Sequence, residues 1–327
     1  MRKIGLATAL FIAGAWLFIG SPRDGAAQFR AVWNVSAFAE KAEPAQPDGR
    51  EPVPAMDGKA SENDAPADSF DAQIRFWMAE LAKEEGYEDW ADAQWTRYPL
   101  GPGMHGWVIL IRKDGKEIGY MIVNATSDGQ LRLTEYGSGE YPLFGTETLY
   151  RALIKIGPFA AEDTPSGSPW NRWPPPDVER LYYGPLHAVW KIRLGQETVY
   201  ADAKSGELLP LTEDSFSALT VRDGSLSDRK ARIEARLRLP AFDPFERTNW
   251  AGGRPLEIAD IDDLAEALAD GKRITYAARL YGNAVLAPMA VTGYHRWSEA
   301  DWFVRVELDG HRYIPFGIMT EYGQFYP

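Results

Sequence analysis

Cysteine is absent from the 327 residues, which excludes a thiol nucleophile, a cysteine-built zinc site and any disulfide framework. Basic residues are in deficit: 35 Lys and Arg stand against 47 Asp and Glu, for a net charge of -12. Nucleic-acid binding draws on clustered cations whose phosphate contacts release counterions, so no nucleic acid is expected among the partners. Histidine is scarce, and His105, His187, His295 and His311 are the full set. None lies in an H-E-x-x-H pattern, and a zinc site would need at least three ligands gathered from separate segments. The G-x-S-x-G turn of serine hydrolases is missing too. No cofactor is expected.

Large apolar runs are confined to the amino terminus. Arg2 and Lys3 precede the uncharged stretch from Ile4 to Gly20, and the first acid is Asp24. Residues 1–27 therefore read as a signal peptide or an uncleaved signal anchor, with Gly25 and Ala27 allowing cleavage before Gln28. Either way the remainder is extracytoplasmic, membrane-anchored or secreted. Residues 28–68 form a tether: from Glu40 to Asp68 the chain is rich in Pro, Ala and charge, and too poor in apolar surface to offset ordering entropy.

Beyond the tether, 45% hydrophobic and 13% aromatic content supports globular units with real cores. The patterning predicts an α+β class, with helices packed on antiparallel sheet. Ser69 is a plausible N-cap for a helix whose Phe70, Ile74, Trp77, Met78 and Leu81 share one face. Asp114-Gly115 and Asp128-Gly129 then separate three strand-like runs, and a second helix is expected over 147–156. These make a first unit, 69–160. A Pro-rich connector spans 161–177, a smaller strand-rich unit 178–215, and a strand-rich α+β domain 216–327. In the last, helices are expected over 227–239 and 260–269.

A repeat runs through these units. Trp107 precedes Asp114-Gly115, and Trp302 precedes Asp309-Gly310, at the same spacing; Trp190 leads a shorter version. The first two copies align further, Asn124 with Asp202, Gly129 with Gly206 and Thr134-Glu135 with Thr212-Glu213. The middle copy, with Trp190, Tyr200, Asp202, Ala203, Gly206 and Glu207, resembles the PepSY family of small cystatin-like exported modules. The first copy is PepSY-like but carries Asn124 and Gln130 where the acids stand. The resemblance implies a regulatory module that binds or restrains a hydrolase or peptidase of the cell envelope, with no catalytic residues of its own. From the residues alone, Asp202 and Gly206 suit either a structural turn or a ligand site.

Other candidates are fewer. Glu135 and Glu321 lie in Tyr- and Gly-rich stretches of the kind that line sugar clefts, so a carboxylate pair for glycan hydrolysis is the alternative reading. His295 and His311, with Glu299 and Asp301, form a local cluster. Trp170 and Trp173 beside a polyproline run could present a partner surface. Arg229, Lys230, Arg232, Arg236 and Arg238 suggest either an anionic polymer or lipid contact or a solvated face. The last segment faintly resembles the second half of papain-like peptidases, but without Cys it could be only an inactive relative. The partner expected overall is an envelope or secreted protein, or a cell-wall polymer, with the membrane met through residues 1–27 if these are uncleaved.

Overall fold

The computed structural model describes residues 67–103, 105–127, 129–156, 177–220, 230–307 and 309–327. The export segment, the tether, and the connector with Trp170 and Trp173 lie outside these residues. Among the described residues no helix is long and apolar enough to cross a membrane.

The class is α+β. Four helices occur among the described residues: α1 (Ala67–Leu81), α2 (Thr146–Ile156), α3 (Ile261–Ala269) and α4 (Phe316–Tyr322). Strands β1 (Gln94–Pro99), β2 (Gly106–Lys113), β3 (Lys116–Ala125) and β4 (Leu131–Ser138) form a meander. A separate small sheet is built by β5 (Val178–Gly184), β6 (His187–Leu194), β7 (Glu197–Asp202) and β8 (Leu208–Leu209). The remaining strands are β9 (Ala235–Arg238), β10 (Ile274–Leu280), β11 (Val285–Arg296), β12 (Trp302–Glu307), β13 (His311–Pro315) and β14 (Gly323–Tyr326).

The first and last segments share one sheet. Its order is β1-β2-β3-β4-β13-β12-β11-β10-β14, with β9 paired to β11, and every pairing is antiparallel. Strand β2 shows why both faces are covered. Ile109 and Ile111 join the core under α1, whereas the alternating Val108 and Leu110 join a second core with α2 and the small sheet. Period-2 alternation places successive side chains on opposite faces, so a near-continuous apolar run marks a strand buried on both. Helix α1 buries Phe70, Ile74, Trp77 and Leu81 on one face of the sheet. Helix α2 is enclosed between the other face and the small sheet, through Leu149, Ala152 and Leu153. Farther along that same side, Leu181, Val189 and Tyr200 of the small sheet pack with Ile274, Val304 and Ile314.

Local signals account for the tight connections. Asp114 and Gly115 take φ of 49° and 78°, the left-handed geometry that a two-residue hairpin turn demands, and Asp309 and Gly310 take 48° and 103° in the longer connection between the paired Glu307 and His311. Asp260 caps α3 in a reciprocal capping box with Asp263.

One expectation is overturned. The helix predicted over 227–239 is, in its described part, extended: β9 occupies Ala235–Arg238 and pairs with β11. Its alternating burial leaves Arg236 and Arg238 free to reach Glu84 and Glu85 at 2.5 and 3.0 Å. A sheet edge with those acids beside it outweighs the weak helical preference of an Arg-rich stretch.

The seam between β4 and β13 depends on Gly137, which lies opposite Arg312. A Cβ there would sit 2.2 Å from the His311 carbonyl oxygen and 2.7 Å from the Tyr120 ring. Gly137→Ala must therefore push the strands apart, and is expected to lower stability by about 1–3 kcal/mol as overpacking does. Urea unfolding measures this, and an unchanged midpoint would contradict the role given to Gly137.

Candidate functional site

Three polar centres stand out, and only one is open. Glu135 and Arg312 form the first. The Glu135 carboxylate is wholly buried, with Arg312 Nη2 donating to its two oxygens at 3.0 and 3.3 Å. Burial pushes the Glu135 carboxyl above its usual range, against the opposing pull of Arg312 and Lys204. Lys204 is itself fully buried and donates from Nζ to the carbonyl oxygens of Tyr141 and Asp309, the latter at 2.6 Å. Desolvation, aided by Arg312, brings its pKa down to about 7.

Lys204 sits in the turn that the sequence singled out. Asp202 Oδ1 accepts from the backbone N–H of Lys204 and Ser205 and from the Ser205 hydroxyl, at 2.7–3.0 Å. Gly206, with φ of 69°, lies so close to α2 that a Cβ would stand 2.5 Å from the Thr148 carbonyl oxygen. The Asp202–Gly206 stretch is therefore saturated by its own turn and packed on α2.

His295 is the second centre. Its ring is buried, with Tyr136 Oη 2.9 Å from Nδ1 and Tyr313 Oη 3.0 Å from Nε2. Trp297 Nε1–H donates to Tyr136 Oη at 3.0 Å. A neutral imidazole accepts at one nitrogen and donates at the other, so one tyrosine donates and the other accepts. Desolvation, with Arg305 and Arg236 nearby, lowers the His295 pKa to about 3. His311 belongs elsewhere, 2.6 Å from the Glu307 carboxylate and beside Arg305. Asp301 accepts from the Ser298 hydroxyl at 2.7 Å, and the Glu299 carbonyl oxygen accepts from Trp302 Nε1–H at 3.1 Å. Among the described residues no group of three His, Asp or Glu is arranged to hold a metal. Glu321 lies exposed on α4, whereas Glu135 is wholly buried.

The third centre is a cleft of about 800 Å³ where the β1–β3 end of the large sheet meets α2 and the small sheet. None of Glu135, Glu321, Asp202, Gly206, His295 and His311 lines it. On one wall Glu117 accepts from Arg112 Nη2 at 2.6 Å and from the backbone N–H and hydroxyl of Thr146 at 2.7 Å each, so it caps the N-terminus of α2. On another, Arg180 lies with its guanidinium 4.3 Å from the Tyr98 ring centroid and 4.9 Å from that of Trp190. Arg180 and Trp190 are direct cross-strand partners on β5 and β6, and Trp190 is fixed by donating Nε1–H to Thr148 Oγ1 at 3.1 Å. Burial lowers the Arg180 pKa to about 10, and its Nε is enclosed with no acceptor among the described residues.

Sequence reasoning singled out Trp190 but passed over Arg180, Arg312 and Lys204. The Trp-led strand offered a route to one of them, because pairing "VERLYYG" with "HAVWKIRL" across the Gly184 turn sets Arg180 opposite Trp190. Arg312 gave no such signal, since its partner is far away in the chain.

No family model matches the chain, and neither a curated protein nor a solved structure matches it.

The buried histidines set a pH dependence. The folded pKa of His295 is about 3 and that of His187 about 4, the latter lowered by burial and then by Arg312; both start from 6.5 when unfolded. The unfolded chain therefore binds more protons across this window, and stability falls as pH drops from about 6.5 toward 4. Glu135 acts oppositely, since its raised pKa favours the fold most where it is protonated. Urea unfolding between pH 7 and 5 is expected to show a steeper decline for the native chain than for His295→Gln. Parallel slopes would contradict the assignment.

Proposed function

We propose that this chain is a non-enzymatic, extracytoplasmic interaction protein, membrane-anchored or secreted, that holds an envelope or secreted protein or a wall polymer at the Arg180 cleft. The observation carrying this reading is the state of the two kinds of charge. Glu135, the better-placed catalytic candidate, is bound to Arg312 inside the protein, whereas Arg180 has no hydrogen-bond or ion-pair partner among the described residues and lies in an open cleft among aromatic rings. A general acid must reach the proton it transfers, and a wholly buried carboxylate in an ion pair does not. Clefts that orient a ligand combine apolar walls with a few polar groups.

The repeat supports a modular origin. Strands β2, β3 and β4, and likewise β6, β7 and β8, run as a hairpin followed by a returning strand, with Gly129 and Gly206 at φ of 76° and 69° in the equivalent turns. That succession fits two PepSY-like units, and with it a role in binding or restraining an envelope hydrolase or peptidase. The extracytoplasmic placement rests on the basic and apolar amino terminus.

Incubating the purified chain with isolated wall material and envelope extract tests the reading against a glycan-acting hydrolase. Retention of a protein or polymer without release of soluble fragments is expected, and Glu135→Gln and Glu321→Gln should have no turnover to lose. Fragment release by the native chain that either substitution abolishes would overturn the proposal.

A further inference from the structure

We infer that the cleft receives a peptide bearing both a carboxylate and an ammonium group, the carboxylate against Arg180 and the ammonium against Glu140 and Glu147. The inference rests on the reading of this cleft as the binding site.

Arg180 carries the argument. A partly buried cation is costly unless it is paired, and the rings of Tyr98 and Trp190 attract the guanidinium without accepting its hydrogen bonds. Nε is enclosed and unsatisfied. The two terminal nitrogens are not enclosed in this way and have no acceptor among the described residues, so they are the part of the group that an occupant meets. Their planar fork matches a carboxylate in bidentate geometry. Glu117, which also lines the cleft, is already committed to Arg112 and to the first turn of α2.

The opposite charge selects among anions. Glu140 and Glu147 also line the cleft, and neither has an ion-pair or hydrogen-bond partner among the described residues. An acidic sugar or a phosphate would meet these carboxylates with like charge, whereas a peptide's ammonium group complements them. A volume of about 800 Å³ lies within the usual range for small-ligand sites, roughly 300–1,000 Å³, and accommodates a few residues.

Titration calorimetry on the full chain tests this with trialanine, its C-terminal amide, its N-acetyl form, glucuronate and inorganic phosphate. Trialanine is expected to bind, and both the amide and the acetyl form to bind at least tenfold more weakly. Arg180→Met should cost trialanine at least tenfold, with Arg180→Lys intermediate because it keeps charge without the fork. If thermal unfolding shows Arg180→Met to be misfolded, Arg180→Lys alone carries the comparison, and unchanged binding by it overturns the inference. So does equal binding of the amide, tighter binding of glucuronate or phosphate, or no binding of trialanine. Retention on wall material, measured in parallel, separates the two claims: retention without trialanine binding removes this inference alone, and loss of both removes the interaction reading as well.

Discussion

Glu135 and Arg312, both buried, meet across the β4–β13 seam, and the three segments of the chain are arranged about that contact. Arg312 stands opposite Gly137, which has no side chain to hold it off, so the guanidinium extends along the same face to Glu135, two residues away. On that face the small sheet brings up Lys204, whose ammonium group ties the Asp309 hairpin turn to the Tyr141 loop. An ion pair of this kind is weak evidence for net stability, but losing one partner leaves a bare buried charge. It therefore fixes which strands meet more than how tightly they hold.

Glu135, Asp202 and His295 are enclosed, while the cleft lined by Arg180 is open. The acids and histidines inside the protein are consumed by its own assembly: Glu135 by Arg312, Asp202 by its turn, His295 by two tyrosines. Burial shifts each histidine or lysine among them toward its neutral form, as desolvation must. Perturbed pKa values often mark functional sites, but structural networks perturb them too. Here accessibility separates the two cases: Arg180 faces a cleft, and its terminal nitrogens have no acceptor among the described residues, whereas the shifted Arg112 in the same cleft is bound to Glu117.

The legible parts of the fold were those set by neighbours in sequence. Phe70, Ile74, Trp77 and Leu81 announce α1 by spacing, and Asp114-Gly115 and Asp309-Gly310 announce hairpins by the φ they require. The β4–β13 pairing was hidden because it joins strands far apart in the chain. The stretch around Arg236 misled for a related reason: alternating Arg and apolar residues suit an amphipathic helix and an edge strand alike, and only the acids of Glu84 and Glu85 with the open edge of β11 decide between them. At the candidate site, Trp190 was legible as the head of a repeated strand. Arg180 became meaningful only once β5 lay beside β6.

The central claim, that Glu135 serves as the buried partner of Arg312, is tested most directly by a double-mutant cycle in urea with Glu135→Gln, Arg312→Met and the two combined. Each single substitution is expected to cost about 3–5 kcal/mol, as orphaning a buried charge does, and the double variant far less than the sum of the two. Additive losses would mean that the two side chains do not depend on each other, and would contradict the account.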